Sequence, residues 1–310
     1  MTCPNCNATL PETDRFCEEC GAQLLDLSTH SAGTGCQCGA ACETDEDGYC
    51  TGCGVRREAP ARDHFELEIS PRFAGVSDRG IRHHRNEDCF DLLQDSAHSF
   101  SIVVCDGVSS TEDPDRASEA ACGAALAAIA DGAGLSPERR LLSAMSAAQT
   151  AVKKLGSGSN NAPATTIVCA IATSDRVTLS WLGDSRACWI ADSRAVQLTT
   201  DHSWLNEVVA AGEFTEEAAA QHGNAHAITR WLGADAPEDS KPPVLQFEIT
   251  EPGRLLICTD GLWNYAPEIR ILADLVRSSG EDALTTARNL VRFANAQGGH
   301  DNITAALLFL

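Results

Sequence analysis

The sequence predicts an α+β protein built on antiparallel sheets, and two observations support this fold class. Short apolar runs rich in β-forming residues recur along the chain, and turn signals such as 183–185 join neighbouring runs as closely as in hairpins. Ala-rich, Gly-poor stretches, which predict helices, are grouped in pairs and do not alternate with the strands. Grouped helices indicate helical layers packed on antiparallel sheets, not a parallel sheet with alternating crossovers.

The individual elements follow from these runs. The predicted strands are 73–76, 99–105, 165–172, 177–182, 187–190, 244–249, 254–258 and 303–310. The predicted helices are 114–131, 137–155, 268–278 and 281–296. Two short helical pieces around Gly212 hold too few large apolar residues to form a core, so we expect a surface flap at about 204–227.

Composition bounds the class of function. Hydrophobic residues make up 43% of the 310 residues, which is enough for a buried core. A net charge of −21 disfavours binding to nucleic acid or to anionic membranes. The chain shows neither an apolar opening of the signal-peptide type nor a run long enough to cross a bilayer, which predicts a cytoplasmic protein.

The cysteines are concentrated near the N-terminus, with nine of the fifteen in the first 53 residues. Two closely spaced cysteine pairs separated by a short loop present four thiolates to one Zn²⁺, and this pattern occurs twice, predicting zinc ribbons at 1–25 and 34–58. The predicted ligands are Cys3, Cys6, Cys17, Cys20, Cys36, Cys38, Cys50 and Cys53. In the second ribbon, Cys42 is an alternative to Cys36. Disulfides fit this segment poorly without a secretion signal.

The two predicted ribbons, each with one structural Zn²⁺, form a small module at 1–58. Its acidic residues outnumber its basic residues, so an unknown protein partner is favoured over nucleic acid. Its few apolar residues indicate folding that depends on the metal. A charged linker containing proline is predicted at 59–72, followed by one large domain at 73–310.

Acidic residues mark the ends of several predicted strands. One apolar run ends before Asp106-Gly107, another ends before Asp260-Gly261, and Asp301 leads into the last run. Further candidates are Glu87, Asp88 and Asp184. Crowded carboxylates repel one another unless a cation balances their charge, and ligands that are all oxygen favour Mg²⁺ or Mn²⁺. Two such ions can hold a hydroxide nucleophile between them and neutralise a phosphoryl group.

The large domain also contains seven short motifs. In chain order they are SDRGIRHHRNED, VVCDGVSS, LSWLGDSRACWI, LTTDHSW, HAITRWLG, LLICTDGLWN and GGHDNITAALL. Together they resemble the metal-dependent protein phosphatases of type 2C, from about residue 73 to residue 310. The resemblance implies a four-layer α-β-β-α sandwich of two antiparallel sheets, with the metals in a cleft at one edge. It also implies hydrolysis of phosphoserine and phosphothreonine by hydroxide bridged between two Mg²⁺ or Mn²⁺ ions.

The same resemblance implies metal ligands residue by residue. Asp106 is expected to bridge the two Mg²⁺ or Mn²⁺ ions, with the carbonyl of Gly107 on one of them. Asp260 and Asp301 are expected to complete the other. Asp184 matches a third, weaker metal position.

Residues 82–88 are implied to lie beside these metals. Glu87 and Asp88 match residues that hold metal-bound waters. The arginine that grips phosphate in this family falls where His83 stands in this chain. Arg82, directly before it, is the candidate for that role.

Two further departures from the family pattern motivate an alternative function beside the favoured one. Val108 stands where many members have a histidine, and Asn264 stands where a second acid of the third metal position is expected. The favoured function is a serine/threonine phosphatase that acts on a phosphorylated protein, such as a serine/threonine kinase or its targets. The alternative is a weak or inactive pseudophosphatase that serves as an adaptor through its zinc ribbons.

Overall fold

The structure is a computed structural model that describes Cys50 and the ranges 61–156, 161–237 and 241–310. The chain divides into two compact units, Met1–Glu58 and Ala59–Leu310. Apart from Cys50, all described residues belong to the second unit. Cys50 is also the one predicted zinc ligand that is described, and it is buried. The other predictions for the two ribbons fall outside the described residues.

The strands of the described ranges form three antiparallel sheets. In chain order they are β1 (His64–Ser70), β2 (Phe73–Asp78), β3 (Asp88–Ser96), β4 (Ser99–Asp106), β5 (Ala164–Thr165), β6 (Ile167–Ala172), β7 (Arg176–Leu182), β8 (Arg186–Ala191), β9 (Ala195–Gln197), β10 (Leu232–Gly233), β11 (Val244–Glu248), β12 (Gly253–Cys258) and β13 (Ile303–Phe309). The first sheet has the order β1-β2-β13-β12-β8-β9, and the second has the order β11-β7-β6-β4-β3. Strands β5 and β10 form a separate pair.

Helices cover the outer face of each large sheet. In chain order, all the helices of the described ranges are α1 (Pro114–Asp131), α2 (Pro137–Leu155), α3 (Trp204–Ala210), α4 (Glu216–Ala220), α5 (Asp260–Trp263), α6 (Ile269–Ser278) and α7 (Ala283–Ala296). Of these, α1 and α2 cover the second sheet, and α6 and α7 cover the first. One hydrophobic core lies between the sheets, a second joins α1 and α2 to the second sheet, and a third joins α6 and α7 to the first sheet. The predicted four-layer α-β-β-α sandwich is confirmed. No helix of the described ranges is long and apolar enough to cross a membrane.

The central strands are continuous apolar runs because both of their faces are covered. Every residue of β6 is buried. Ile167 and Ile171 pack into the core beneath α1 and α2, whereas Val168 and Ala170 pack into the core between the sheets. This two-sided burial made the central strands easy to predict from sequence.

The edge of the first sheet corrects the sequence prediction. Residues 61–70, which the sequence analysis assigns to the linker at 59–72, form a 3₁₀ turn (Ala61–Asp63) and strand β1. Phe65 and Leu67 of β1 pack against the core between the sheets, while Glu66 is exposed. A charged outer face is usual for an edge strand. That charge gave the segment the composition of a linker.

Strand β3 also differs from the prediction, which places no strand between 77 and 98. Its inward residues Phe90 and Leu92 are buried, but acidic residues interrupt the apolar pattern. The strand begins at Asp88, which is itself buried. A prediction based on the spacing of apolar residues does not place a buried acid at the start of a strand, so it missed β3.

The flap has the predicted pair of short helices, α3 and α4, on either side of Gly212. Gly212 has a positive φ of 73°, which suits glycine. The Trp204 ring stacks on His222 at 4.3 Å and lies 5.4 Å from the Phe214 ring. These aromatic contacts hold the two helical pieces of the flap together.

Candidate metal centre

Strand pairing brings the predicted acids together. In the second sheet, Asp88 at the start of β3 and Asp106 at the end of β4 are direct partners in the antiparallel register. In the first sheet, Asp260 follows β12 and Asp301 precedes β13, and these two strands are neighbours. Electrostatic repulsion couples Asp106 to Asp88, Asp260 and Asp301. The acids of both sheets therefore meet at one edge of the sandwich.

Asp88 joins the two sheets through its side chain. Its Oδ2 accepts hydrogen bonds from the hydroxyls of Thr259 at 2.8 Å and Thr304 at 2.7 Å. Its Oδ1 is buried and has no hydrogen-bond partner within the described ranges. Burial raises the pKa of Asp88 to about 7 against the pull of the two hydroxyls. A buried carboxylate oxygen without a partner is destabilising unless a cation lies against it.

The other carboxylates crowd one another as well. Burial first, and then the charges of Asp88 and Asp260, raise the pKa of Asp106 well above its ordinary value. Burial, followed by the charges of Asp184 and Asp301, has the same effect on the pKa of Asp260. Burial also raises the pKa of Asp184 to about 6. Divalent cations would remove this repulsion and allow the carboxylates to stay ionised.

Glycine follows the acid at both strand ends because the backbone is crowded there. A Cβ atom at Gly107 would lie 2.4 Å from the carbonyl oxygen of Pro114. A Cβ atom at Gly261 would lie 1.9 Å from the carbonyl oxygen of Asn302. Neither glycine has a positive φ. The requirement is the close approach of two chain segments, not an unusual backbone conformation.

The loop between β2 and β3, residues 79–87, is held by the buried side chain of Asn302. The Oδ1 atom of Asn302 accepts a hydrogen bond from the Glu87 amide at 2.7 Å. Its Nδ2 donates to the carbonyl oxygens of Arg79 at 2.8 Å and Arg85 at 3.0 Å. The hydroxyl of Ser109 donates to the Glu87 carboxylate. One amide thus fixes the loop that carries Glu87 beside the acids.

Motif reasoning did not assign the side chains that support the acids. Thr259 and Thr304 are single hydroxyl residues within otherwise apolar runs, close in sequence to Asp260 and Asp301. Both are fully buried, where a hydroxyl needs a hydrogen-bond partner. A polar residue inside a buried strand beside a candidate ligand is therefore the sequence signal for such a role.

Arg82 and His83 lie on the same loop but differ in their contacts. The Nε2 atom of His83 lies 3.1 Å from Oδ1 of Asp301. Arg82 is exposed, and its side chain makes no ion pair within the part of the chain that the structure describes. Arg85 instead lies 3.2 Å from Asp115. The Arg82 guanidinium is therefore accessible to an anion from solvent.

The donor set suits a hard divalent cation. Carboxylate and carbonyl oxygens are the ligands that Mg²⁺ and Mn²⁺ prefer, and the unpartnered Oδ1 of Asp88 can accept a hydrogen bond from water bound to such an ion. Among the described residues, no three His, Cys, Asp or Glu side chains already form a complete ligand group. Ion binding therefore requires the carboxylates to draw closer together, or water and backbone carbonyls to complete the coordination shell.

Comparison with known proteins gives two family matches. The sequence model described as protein phosphatase 2C matches residues 79–307, and that of a zinc-ribbon domain matches residues 2–24. A protein named serine/threonine phosphatase stp, from Listeria welshimeri, is 30% identical over 245 residues. That alignment covers 75% of this chain and 93% of the relative.

Solved structures share the fold. The serine/threonine phosphatase of S. agalactiae is 25% identical, with a TM-score of 0.66 and coverage of 79% of this chain and 100% of that one. The catalytic domain of the serine/threonine phosphatase PstP was solved in complex with two manganese ions. It is 24% identical, with a TM-score of 0.61 and coverage of 77% and 98%. At this identity the likeness to PstP concerns the fold.

Proposed function

The chain belongs to the protein phosphatase 2C family and is a serine/threonine phosphatase, and we propose that it dephosphorylates phosphoserine and phosphothreonine in proteins with two Mg²⁺ or Mn²⁺ ions. The observation that carries the metal dependence is the crowding of carboxylates from two sheets at one edge. Burial raises the pKa values of Asp88, Asp106 and Asp260, and the charges of neighbouring acids, Asp301 among them in each case, raise them further. Such a cluster is stable in its ionised form only with cations among its members.

Asp106 is the residue that we assign to both ions, with the carbonyl of Gly107 on one. Asp260 and Asp301 serve the other ion, and Asp184 serves a third and weaker position. The charges of Asp88 from the second sheet and of Asp260 from the first both raise the pKa of Asp106, which supports a role for Asp106 at both ions. When bound, such ions activate water for attack and neutralise the phosphoryl oxygens.

Glu87 and Asp88 orient water around the ions. The free Oδ1 of Asp88 can accept a hydrogen bond from water, because its Oδ2 is already occupied by two threonine hydroxyls. The hydroxyl of Ser109 donates to the Glu87 carboxylate, and the Glu87 backbone amide donates to Oδ1 of Asn302. Both acids are therefore fixed in position before substrate arrives.

Arg82 binds the phosphate of the substrate. Its guanidinium is exposed and unpaired within the described ranges. A guanidinium can donate two parallel hydrogen bonds to phosphate oxygens. His83 contacts Asp301 instead, so the two neighbouring cations have separate roles on one loop.

The decisive experiment is phosphopeptide hydrolysis by the full chain. We expect turnover of phosphoserine and phosphothreonine peptides with Mn²⁺ and none with EDTA. Asp106→Asn should lower kcat by more than about a hundredfold, because removal of a partner of a metal ligand alone costs about 10- to 100-fold. Asp131→Asn, an exposed change at the end of α1, serves as the matched control. An inactive wild type, or an Asp106→Asn variant at full rate, contradicts the proposal.

The adaptor alternative rests on the altered arginine position at His83, on Val108 in place of a histidine, and on the altered third metal position. Asn264 occupies it, and its Nδ2 lies 3.3 Å from Oδ2 of Asp260 as a hydrogen-bond donor. A pseudophosphatase would show no phosphopeptide turnover and would not need to bind Mn²⁺ in the sandwich. Calorimetric titration with Mn²⁺ separates the two functions.

For the N-terminal module we propose two zinc ribbons that recognise a protein partner or substrate. The family match at residues 2–24 supports the first ribbon. Because thiolate ligands must stay reduced, we place the protein in the cytoplasm. Elemental analysis of the full chain should find two zinc atoms per molecule. Of Cys36→Ser and Cys42→Ser, only the variant that removes a true ligand should lose one of them.

A further inference from the structure

The segment that the sequence analysis assigns to the linker contacts the loop that carries the candidate site. Arg62 and Asp63 lie in the 3₁₀ turn Ala61–Asp63, directly before β1. We propose that this turn positions Glu87 and Asp88, with Arg62 as its central positioning residue. The inference rests on the proposed phosphatase function, in which Glu87 and Asp88 orient water.

Arg62 ties the start of β3 to helix α1. Its Nε donates to the carbonyl oxygen of Asn86 at 2.5 Å, and its Nη2 lies 3.2 Å from that of Asp88. The same Nη2 lies 2.9 Å from the carbonyl oxygen of Asp115 and 3.1 Å from the hydroxyl of Ser118. One guanidinium therefore contacts the backbone on both sides of Glu87 and anchors it to α1.

The side chain of Asn86 in turn binds the backbone of Arg62. It is completely buried, and its Nδ2 donates to the carbonyl oxygen of Arg62 at 3.1 Å and to the Ser77 hydroxyl at 2.9 Å. Its Oδ1 accepts a hydrogen bond from the Asp88 amide at 3.2 Å. The backbone of Asp88 is thus held by Arg62 directly and through Asn86.

Asp63 holds the other end of the same loop. Its carbonyl oxygen accepts a hydrogen bond from the Arg79 amide at 2.7 Å, and its Oδ2 lies 3.2 Å from Nε of Arg79. The Nη1 of Arg79 in turn donates to the carbonyl oxygen of His83. Two consecutive residues of the turn therefore hold residues 79–88 at both ends, with Asp63 bound at Arg79 and Arg62 bound at Asn86 and Asp88.

The contacts of Arg62 and Asp63 with residues 79–88 affect the site through the backbone of Asp88. Asp88 pairs with Asp106 across β3 and β4, so a shift of its backbone also shifts its carboxylate against the other acids. The hydrogen bonds of the Arg62 guanidinium go to backbone carbonyls and to Ser118, and its ion pair is with Glu119 at 3.6 Å. Its charge acts on the Asp88 carboxylate without contact and lowers the pKa of Asp88, so Arg62 is a positioning residue. Lysine should replace it only in part, because a compact ammonium lacks the planar fork that reaches several acceptors at once.

The test compares Arg62→Ala with wild type in the full chain, by backbone hydrogen exchange and by kinetics. We expect the amides of Glu87 and Asp88 to exchange about tenfold faster, since hydrogen bonds from a charged donor are lost. The amides of β6 should be unchanged. With Mn²⁺, kcat should fall about tenfold with little change in KM for a phosphopeptide. Millimolar guanidinium should restore part of kcat.

Three further variants complete the test. Arg62→Lys should give an intermediate effect, and Ser118→Ala, which removes one acceptor, a smaller one. Arg72→Ala is the matched control, because Arg72 lies over the Phe100 ring and makes no contact with residues 79–88. Unchanged exchange at Glu87 and Asp88 in Arg62→Ala overturns the inference, as does an equal increase in β6. If wild type itself shows no turnover, the proposed phosphatase fails, while exchange still decides the positioning role.

Discussion

The two sheets bring their acids to the site in different ways. In the second sheet, Asp88 and Asp106 are partners in the register of β3 and β4, so strand pairing itself fixes them side by side. In the first sheet, Asp260 follows β12 and Asp301 precedes β13, so both lie outside the paired strands. The backbone of Gly261, beside Asp260, lies close to that of Asn302, beside Asp301, since a Cβ atom at Gly261 would lie 1.9 Å from the Asn302 carbonyl oxygen. This close approach of the two segments brings the acids together.

The two pairs also differ in what surrounds their charge. His83 lies 3.1 Å from Asp301, and Asn264 donates a hydrogen bond to Asp260 at 3.3 Å. Asp106 has its pKa raised by burial and by the charge of every acid around it. Burial and repulsion raise the pKa of Asp260 as well, and Asp88 accepts hydrogen bonds from two threonine hydroxyls. Both sides therefore need cations, and Asp106 depends on them most, because burial and four neighbouring acids all raise its pKa.

Of the changes that test this comparison, Asp88→Asn should have the largest effect on the free energy of unfolding, measured in the presence of EDTA. The folded-state pKa of Asp88 is about 7, above the ordinary 3.8. The protonated carboxyl therefore stabilises the fold below about pH 4, and this contribution is lost as pH rises through 7. At pH 7 the variant should be more stable than wild type by a few kcal/mol, on the order that such a shift implies.

Urea unfolding of both proteins between pH 4 and pH 7.5 checks this prediction. EDTA acts on both proteins alike, so their difference in unfolding free energy isolates Asp88. That difference should be near zero at pH 4, grow toward pH 7 and then level off. A difference that does not vary with pH would show that burial does not raise the pKa of Asp88 in the folded state.

A smaller effect is expected from Gly261→Ala on the β12–β13 side. Gly261 lies in α5, where alanine would gain about 1 kcal/mol in helix propensity. The added Cβ would lie 1.9 Å from the Asn302 carbonyl oxygen, and such overpacking costs about 1–3 kcal/mol. We expect net destabilisation in urea unfolding. Gly123→Ala in α1 is the control, because its Cβ meets nothing within 4 Å and should stabilise the protein.

The smallest effect tests the link between the two sides. Thr304→Val removes one of the two hydroxyls that bind Asp88 and should weaken Mn²⁺ binding by about tenfold. Thr286→Val is the control, because Thr286 is buried in α7 and donates to the Asp282 carbonyl at 2.8 Å. Calorimetry should show altered Mn²⁺ affinity for the first variant alone. Equal affinities in both variants would separate Asp88 from the metals.

The sequence was sufficient where local pattern and burial coincide. Apolar runs such as 165–172 and 254–258 identified central strands, and the Asp-Gly pairs at 106–107 and 260–261 identified strand ends. The family resemblance extended this to a four-layer sandwich. The position of Asp184 at a turn between β7 and β8 was also visible from its flanking runs.

The remainder depends on contacts between distant segments. β1 and β3 carry charge on one face or at their ends, so periodicity missed both. The hydrogen bonds from Thr259 and Thr304 to Asp88 span more than 170 residues of sequence, and no local pattern reports them. Arg62 was hidden for the same reason, since its partners lie on β3 and α1.

Calorimetric titration of the zinc-loaded full chain with Mn²⁺ tests the carboxylate cluster most directly, because it counts the ions that bind. We expect two tight sites in wild type and in Asp131→Asn, and neither in Asp106→Asn, because Asp106 is assigned to both ions. An Asp106→Asn protein that binds two Mn²⁺ ions as tightly as wild type would contradict this assignment.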